Sequence, residues 1–373
     1  MFNTIIIGGG LAGLVSALHL SIKGQKVLLI EKNTYPKHKV CGEYISHEVL
    51  PYLRSLNFDP FVLGAKDIKK LTLSTSKSRS VSTILPLGGF SISRYCIDEA
   101  LKNKAEEHGA LVLQASVLDL KFEHDYFTVK ASNKEVYKAP ILIGAYGKRS
   151  TMDVKLNRAF IKKTSPFLGV KAHYKGEFPE DAVGLHNFEG GYCGVSKVEN
   201  DHINICYLAD YKTFKKHKSI TEFQENVLYK NKFLKEVLSN STLVFDKPLT
   251  ISQVSFSSKS PIEDHMLMCG DAAGMIHPLA GNGMGMAIRS AQMASNLILD
   301  YSCGKLKSRK ELEKAYTKAW TKEFGTRLKS GHIIARLFRL GFISEIIMLF
   351  LQIFPFTLPL IIKRTHGKPL EAE

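Results

Sequence analysis

Three glycines near the start of the chain, Gly8, Gly10 and Gly13, have the spacing of a phosphate-binding turn. A β-branched run over Thr4–Ile7 precedes them and predicts a buried strand, and the residues from 11 to 23 predict a helix. Gly8 allows a tight turn, Gly10 lets a pyrophosphate approach the backbone, and Gly13 lets the helix pack on the strand. Because a helix N-terminus carries free N–H groups and partial positive charge, this turn predicts a dinucleotide site.

An acidic residue at the end of the next strand supports the same interpretation. The run "KVLLIEK" predicts a strand that ends at Glu31, near the expected spacing of about 20 residues from the turn. A carboxylate there accepts hydrogen bonds from a ribose diol and repels a 2′-phosphate. We expect Ala12, in the first turn of the helix, and Lys32 to lie beside the nucleotide as well. NAD and FAD both fit these features, and a glycine turn used only for packing is the alternative.

A second glycine-rich segment distinguishes between the two cofactors. The stretch "HMLMCGDAAGMIHPLAGNGMGMAIRSAQMASNLIL" (265–299) resembles flavoproteins of the p-hydroxybenzoate hydroxylase type, within the glutathione reductase-like superfamily. The resemblance implies that Asp271 binds the ribityl chain of FAD and that the following helix directs its N-terminus at the isoalloxazine. The alternative is a structural turn with an N-capping Asp271. The other residues that the resemblance places against FAD here are Gly270, Gly281, Asn282, Gly283 and Met284.

Three further stretches resemble the same family. "SISRYCIDEALKNKAEEHG" (91–109) resembles the helix whose arginine, here Arg94, reaches the cofactor, and a plain helix-start arginine is the alternative. "ALVLQASVLDL" (110–120) resembles the strand that brackets the adenine, near Val117. "APILIGAYGKRS" has Tyr146 where the family carries an aspartate tied to both FAD and the pyridine nucleotide. The electron donor is therefore left open between NADPH and another reductant.

The substrate side resembles the geranylgeranyl reductase branch of this superfamily. "KHKVCGEYISHEVLPYLRSL" (37–56) contains the Lys-x-Cys-Gly pattern, which implies that Cys41 and Gly42 lie beside the isoalloxazine. The turn at Gly190-Gly191-Tyr192 also resembles that branch. Cys41 and Tyr192 are the candidate catalytic residues, whereas the alternatives are a small buried cysteine and a plain cavity-wall tyrosine. Two other candidate proton donors are Tyr44 and His277.

These motifs together predict the fold class. We expect an α/β protein with a Rossmann-like FAD-binding domain, an inserted antiparallel β-sheet substrate domain and a C-terminal helical, apolar region. The strand-like runs at 71–87, which read as a hairpin, and at 165–255 belong to the inserted domain. The predicted boundaries are 1–68, 88–160 and 256–304 for the FAD-binding domain, 69–87 and 161–255 for the substrate domain, and 305–373 for the C-terminal region.

Composition narrows the class of partner. The 373 residues contain six scattered cysteines without a CxxC pair, so we expect neither a disulfide framework nor a metal site, and a reducing, cytoplasmic location. Cys193, Cys206 and Cys269 read as core residues. The formal net charge of +16 suits an anionic cofactor or anionic lipid. No nucleic-acid-binding motif accompanies the charge, so nucleic acid is not favoured.

One apolar segment near the C-terminus raises the question of a membrane. Residues 346–362 are uncharged, with an apolar gain of about −4 to −7 kcal/mol for insertion. Pro355 and Pro359 each cost up to about 3 kcal/mol in a helix interior, and the segment is short for a span. An interfacial patch on the inner face of a membrane, a lid over an apolar channel and a buried helix pair are the remaining alternatives.

The resemblance implies an FAD-dependent oxidoreductase. Its expected substrate is a lipophilic small molecule of the prenyl type, and its expected reaction is reduction of a carbon–carbon double bond by hydride transfer from reduced flavin. The alternative is an FAD-dependent monooxygenase that hydroxylates or epoxidises an apolar or aromatic substrate. A flavin-binding protein without turnover is a third alternative, and fold analogy alone does not decide among them.

Overall fold

The computed structural model describes residues 1–339 and 341–371. Residue 340 and residues 372–373, which belong to the predicted C-terminal region, lie outside the described residues. The protein is a mixed α/β structure, as predicted, with a largely parallel sheet, a large second sheet and helices at the C-terminal end.

The described residues form eighteen strands. They are β1 (Thr4–Ile7), β2 (Val27–Glu31), β3 (Tyr44–Ser46), β4 (Lys66–Ser74), β5 (Ser80–Ser91), β6 (Leu111–Gln114), β7 (Val117–Glu123), β8 (Tyr126–Ala131), β9 (Val136–Ala139), β10 (Ile141–Gly144), β11 (Phe167–Lys175), β12 (Ala182–Phe188), β13 (Gly191–Lys197), β14 (Ile203–Asp210), β15 (Thr242–Leu243), β16 (Leu249–Ser252), β17 (Ile262–Glu263) and β18 (Met266–Met268).

The same residues form eleven α-helices. They are α1 (Leu11–Ile22), α2 (Leu50–Ser55), α3 (Arg94–Glu107), α4 (Thr151–Lys155), α5 (Tyr211–Phe214), α6 (Ile220–Asn226), α7 (Lys232–Ser239), α8 (Gly283–Ser302), α9 (Arg309–Arg339), α10 (Gly341–Ile353) and α11 (Thr357–Thr365).

A six-stranded sheet carries the first motif. Its strand order is β17-β18-β10-β1-β2-β6, and all pairs except β17 with β18 are parallel. β1 is buried along its whole length, as its β-branched sequence predicts. Because parallel strands end at the same edge, the segments after β1, β2, β10 and β18 meet there, which brings the two glycine motifs together.

The stretch 110–120 is two strands rather than the single strand that we predicted. β6 joins the parallel sheet, whereas β7 pairs with β8 in a separate three-stranded antiparallel sheet. Ala115 N donates to the carbonyl oxygen of Glu31 at 2.9 Å, and Ser116 N donates to the Ser132 side chain at 3.0 Å. The chain changes sheets between these two bonds, so periodicity alone did not separate the strands.

The second sheet has nine strands, eight in the order β15-β11-β14-β13-β12-β4-β5-β3, with β16 also paired to β11. The predicted hairpin is confirmed, because β4 and β5 are antiparallel partners. The sheet extends beyond the predicted substrate ranges, since β3 comes from residues 44–46 and β5 continues to Ser91. The strands therefore cross the predicted boundary at residue 68, and the division into domains stays a prediction.

The predicted helical C-terminal region consists of α9, α10 and α11. The inner sides of α10 and α11, at Met348, Leu351, Leu358 and Ile362, pack on a cluster that includes Leu71, Leu73, Leu85 and Val183 of the second sheet. Within residues 1–339 and 341–371, no single helix is long and apolar enough to cross a membrane. α10 and α11, bent by 119° at their break, meet that length and composition criterion only as a pair.

Candidate active site

One cavity of about 1020 Å³ runs from the carboxyl edge of the parallel sheet to the C-terminal helices. Fifteen of the seventeen predicted site residues line it, and the other two, Gly13 and Asn282, lie behind its wall. The lining residues among those predicted are Gly8, Gly10, Ala12, Glu31, Lys32, Cys41, Gly42, Arg94, Val117, Tyr192, Gly270, Asp271, Gly281, Gly283 and Met284.

The first glycine turn has the conformation that its sequence predicts. Gly8 has a φ of +106°, and a Cβ there would lie 2.5 Å from the carbonyl oxygen of Ala145. The hydrogen bonds of α1 begin with Leu14 N, which donates to Gly10 O at 2.9 Å, so the amides of the first turn stay open toward the cavity. Gly13 serves close packing, as predicted, because a Cβ there would lie 2.0 Å from Gly8 O.

Gly9, between the predicted glycines, is held by three side chains. Its N–H donates to Glu31 Oε2 at 2.7 Å, and its carbonyl oxygen accepts from the Tyr35 hydroxyl at 2.7 Å and from Lys39 Nζ at 3.2 Å. Glu31 also accepts from Asn33 N at 2.9 Å and keeps lone pairs that can receive a ribose diol. Glu31, which was predicted to bind the ribose, therefore also holds the glycine turn in place. Spacing alone did not indicate this second role.

Two cations share one buried carboxylate beside this turn. Asp98, whose side chain is 1% exposed, accepts from Arg94 Nε and Nη2, both at 2.7 Å, and from Lys39 Nζ at 2.8 Å. Burial and the neighbouring Arg94 lower the pKa of Lys39. Lys39 and Arg94 also line the cavity, so these two cations are placed where a diphosphate can bind. Sequence reasoning missed Lys39 and Asp98, although the i,i+4 spacing of Asp98 from Arg94 was a usable signal.

The second motif packs directly on the first. Gly270 has a φ of +60°, its N–H donates to Ser290 Oγ at 2.9 Å, and a Cβ there would lie 3.2 Å from Ala12 Cβ. The backbone oxygen of Asp271 accepts from Lys259 Nζ at 2.7 Å. Burial lowers the pKa of Lys259 to about 8. Asp271 itself lines the cavity, so its carboxylate is placed where a polyol chain can bind.

The N-terminus of α8 opens into the same cavity. Its hydrogen bonds begin with Met286 N, which donates to Asn282 O at 3.0 Å, so the amides of Gly283 and Met284 are available to a ligand. The Asn282 side chain is turned away from the cavity, because its Nδ2 donates to Glu48 Oε1 at 3.1 Å and to Thr365 O at 3.0 Å. The side chain therefore has a structural role, and the predicted role of Asn282 as a backbone donor to the cofactor stays a prediction.

The Cys41 loop is fixed against α8 and the second sheet. Cys41 Sγ lies 3.4 Å from Met284 Sδ, and the buried Asn204 of β14 donates its amide to Gly42 O at 2.9 Å and to Cys41 O at 3.3 Å. A Cβ on Gly42 would meet no atom within 4 Å, so this residue faces open cavity. The Cys41 thiol and the backbone of Gly42 therefore both face the part of the cavity beside Met284.

Glu43, a fully buried residue with a φ of +55°, anchors the loop from below. It pairs with Lys171 Nζ at 2.5 Å and His173 Nε2 at 2.7 Å, and its Oε1 accepts from Arg94 N at 2.7 Å. Burial alone would raise the pKa of Glu43, but Lys171 and His173 outweigh burial and lower it. His38, Glu43 and His173 are close enough to share a metal ion, but the buried ammonium of Lys171 opposes a cation there.

The predicted proton donors occupy different positions. Tyr192 lines the cavity, and burial raises the pKa of its hydroxyl well above the ordinary value. Tyr44 also lines the cavity, with its hydroxyl 3.3 Å from Gly88 O. His277 lies behind the wall, with its ring 5.7 Å from that of Tyr192. Of the three cysteines read as core, Cys193 and Cys269 are buried and Cys206 is partly buried. Cys206 and Cys269 both line the cavity.

The far end of the cavity is apolar. Side chains from the second sheet and the C-terminal helices form its wall; they include Leu71, Leu73, Leu85, Val183, Leu185, Phe338, Ile347, Leu351, Leu358 and Ile362. We call this end the apolar compartment. It is continuous with the space beside Cys41 and Met284, and it was not assignable from sequence because its wall comes from segments more than 250 residues apart.

These features fit FAD. The open amides of α1 and the cations around Asp98 suit its diphosphate, Glu31 suits its ribose, and Val117, at the start of β7, lines the wall with Ala115 and Ser116 where an adenine can lie. Tyr146, which replaces the family's aspartate, also lines the cavity. The Asp271 carboxylate and the α8 amides lie at the same cavity. We call this set of groups, from the α1 amides to the α8 amides, the FAD cradle.

Comparison with known proteins identifies the family. The model of the FAD binding domain family matches residues 1–309. The chain is 24% identical to conditioned medium factor receptor 1 of Dictyostelium discoideum, over 87% of this chain and 68% of that protein. It is also 24% identical to digeranylgeranylglycerophospholipid reductase of Methanosarcina acetivorans, over 91% of this chain and 85% of that protein.

Solved structures agree on the fold. The flavin-dependent brominase Bmp2 superposes with a TM-score of 0.79 at 16% identity and covers 100% of this chain and 96% of its own. At this identity the likeness concerns the fold alone. Because the family model matches most of the chain and the residues it needs line one cavity, the chain belongs to the FAD binding domain family and is an FAD-dependent oxidoreductase.

Proposed function

We propose that this protein reduces carbon–carbon double bonds of a lipophilic, prenyl-type substrate. The observation that carries the proposal is the continuity of one cavity from the FAD cradle, past Cys41 and Met284, to the apolar compartment. A long hydrocarbon chain is the ligand that such a wall favours, since burying each methylene contributes about 0.8 kcal/mol.

Reduced FAD, when bound, supplies the hydride for such a reaction. The chain itself positions the reacting partners. Asn204 and the Glu43–Lys171 pair fix the Cys41 loop, so the thiol and Gly42 keep a defined place beside the α8 amides. The apolar compartment binds the rest of the substrate and excludes water. Tyr192 or Cys41, both of which line the cavity, supplies the proton that completes saturation.

A sequence relative and the position of the Cys41 loop support this proposal. One relative is named as a digeranylgeranylglycerophospholipid reductase and covers most of the chain, at 24% identity. The Lys-x-Cys-Gly stretch that motivated the reductase interpretation places Lys39 at the glycine turn and Cys41 at Met284.

A monooxygenase is the second candidate function. It is supported by a sequence relative named as a 1H-pyrrole-2-carbonyl-[peptidyl-carrier protein] brominase of Pseudoalteromonas luteoviolacea, which is 24% identical over 80% of this chain and 77% of that protein. Tyr146 stands where the family's aspartate tied to pyridine nucleotide would be, which weakens the case for NADPH and leaves another reductant as the alternative donor. We propose a cytoplasmic location for the protein in either case.

Anaerobic stopped-flow kinetics separates the two candidates. The FAD-loaded protein is reduced with dithionite and mixed with a polyunsaturated prenyl lipid, its saturated counterpart or an aromatic compound. A reductase regains the visible absorbance of oxidised FAD without oxygen, and only with the unsaturated lipid. Reoxidation that requires oxygen, or that proceeds equally with all three compounds, would contradict the proposal.

A further inference from the structure

Exposed apolar side chains cluster on the outer side of α10 and α11. On α10 the exposed residues recur at intervals of three and four, so they share one side of the helix, opposite the buried Met348 and Leu351. The turn between the helices and the outer side of α11 continue the cluster. We call this surface the apolar face; it consists of Phe342, Ile346, Leu349, Phe350, Ile353, Phe354, Phe356, Leu360 and Ile361.

The cavity opens at this surface. Phe350 and Ile361 of the apolar face, together with Leu337 of α9, are exposed and also line the cavity. Because these three side chains contact both solvent and the cavity, the cavity opens to the surface beside them. A hydrocarbon chain that lies against the apolar face can therefore enter the apolar compartment without crossing a polar surface.

The charges around this surface are positive. Exposed cations flank it along the chain at Arg336, Lys363, Arg364 and Lys368. From residue 341 to residue 362 the single charged side chain is Glu345, which pairs with Arg79 at 3.4 Å. An apolar surface with a basic border and its one acid paired suits the headgroup region of an anionic membrane.

We infer that the apolar face inserts into one leaflet of an anionic phospholipid bilayer and draws the lipid substrate from it into the cavity. Phe354 and Phe356, both exposed, lie in the break between α10 and α11, where the helix pair bends by 119°. This inference rests on the proposed function for the nature of the substrate, whereas binding to the membrane requires no turnover.

Vesicle flotation of the FAD-loaded protein tests membrane binding directly. We expect binding to vesicles of phosphatidylcholine with phosphatidylglycerol, and weaker binding to phosphatidylcholine alone. The double variant Ile353→Gln/Phe356→Ser, at positions 60% and 67% exposed, should reduce the bound fraction at least tenfold. Val62→Ser/Val136→Ser, at positions 86% and 53% exposed elsewhere, is the matched control and should bind as the unaltered protein does.

A charge-matched pair tests the basic border. Lys363→Gln/Arg364→Gln should weaken binding to the anionic vesicles only, whereas Lys215→Gln/Lys216→Gln, an equal charge change on another exposed segment, should not. Bound FAD, measured for every variant, confirms that each is folded.

Two results would overturn the inference. One is flotation that is absent or unaffected by Ile353→Gln/Phe356→Ser. The other is a dimer in the absence of vesicles that this variant dissociates, which would assign the apolar face to a second copy of the chain. If the protein floats as expected but no prenyl lipid is reduced, the proposed function alone fails. If the protein both binds vesicles and reduces prenyl lipid, Ile353→Gln/Phe356→Ser should slow reduction of vesicle-embedded lipid but not of a short prenyl alcohol in solution.

Discussion

The thiol sulfur of Cys41 lies 3.4 Å from the thioether sulfur of Met284, a residue 243 positions further along the chain. This contact joins the loop after β2 to the first turn of α8, the two segments that approach the reactive end of the FAD cradle. Whatever reacts there has the thiol on one side and open backbone amides on the other. The position of the thiol beside the α8 amides depends on this contact between Cys41 and Met284.

Replacing Cys41 should change turnover and leave cofactor retention intact. The Cys41→Ser variant keeps the loop anchors at Asn204 and Glu43, so we expect normal FAD content. We expect anaerobic reoxidation by substrate to slow at least about tenfold, about 1.4 kcal/mol in activation free energy. Cys303→Ser, at an exposed position, is the control. An unchanged rate in Cys41→Ser would assign this thiol to packing.

A methyl group at Gly10 should reduce FAD binding without unfolding the protein. The nearest atom to a Cβ there is Arg94 Nη2 at 3.6 Å, so the fold tolerates it, but the methyl lies where a diphosphate must approach. We expect at least about a tenfold rise in the dissociation constant, about 1.4 kcal/mol. Gly325→Ala, with its nearest neighbour at 3.9 Å, should retain FAD fully. Equal retention by both variants would argue against the turn as the diphosphate site.

Asp271→Ala addresses the second half of the cradle. Removing the carboxylate deletes the predicted ribityl contact, whereas the Lys259 bond to the backbone oxygen of Asp271 remains available. We expect the purified variant to lose most of its FAD while its far-ultraviolet circular dichroism stays unchanged. Asp264→Ala, in the turn before β18, is the matched control, and full FAD retention in Asp271→Ala would contradict the assignment.

The ion pair beneath the Cys41 loop should be costly to break from one side. Glu43→Gln leaves the buried ammonium of Lys171 without its counter-charge, for which we expect a loss of about 3–5 kcal/mol in unfolding free energy. Lys171→Met in the same chain removes the unpaired charge, so the double variant should be more stable than the sum of the single changes predicts. Urea unfolding of the three variants measures this coupling. If the losses in unfolding free energy of the two single variants simply add up in the double variant, Glu43 and Lys171 are not coupled and the prediction is wrong.

Stability should fall below pH 6.5 partly because of His186. Burial lowers the pKa of this histidine from 6.5 to about 4. Between these values the unfolded chain binds more protons than the folded chain, so stability is fully present above pH 6.5 and is lost toward pH 4, by up to about 3 kcal/mol. His186→Gln should reduce the slope of unfolding free energy against pH in this window. Parallel slopes in His186→Gln and the unaltered protein would refute the effect.

Local patterns were enough to predict FAD, which the family match confirms. The turn at Gly8 and Gly10, the acid at Glu31 and the helix at Gly283 are each short, regular motifs whose backbone requirements are visible in the residue types. Gly13 was predicted to let the helix pack on the strand, and the structure confirms that packing, whereas the cofactor contacts of the individual residues stay predictions.

Long-range contacts account for what could not be predicted. Lys171 and His173 are alternate residues of one strand and read as ordinary strand positions, and their function depends on Glu43, 128 residues earlier than Lys171. The apolar compartment likewise combines β4, β5 and β12 with helices near the C-terminus. Hydrophobic periodicity shows that such segments are buried but not which of them meet.

The most direct test of the central claim is the mass of the product formed when the FAD-loaded protein, reduced beforehand with dithionite, is mixed with a prenyl lipid, either under heavy-isotope oxygen or without oxygen. The cavity that joins the FAD cradle to the apolar compartment predicts a product heavier by two hydrogen atoms per reduced double bond, with no heavy oxygen incorporated and with product still formed when oxygen is absent. A product that carries heavy oxygen, and that disappears under anaerobic conditions, would contradict the account and establish the monooxygenase instead.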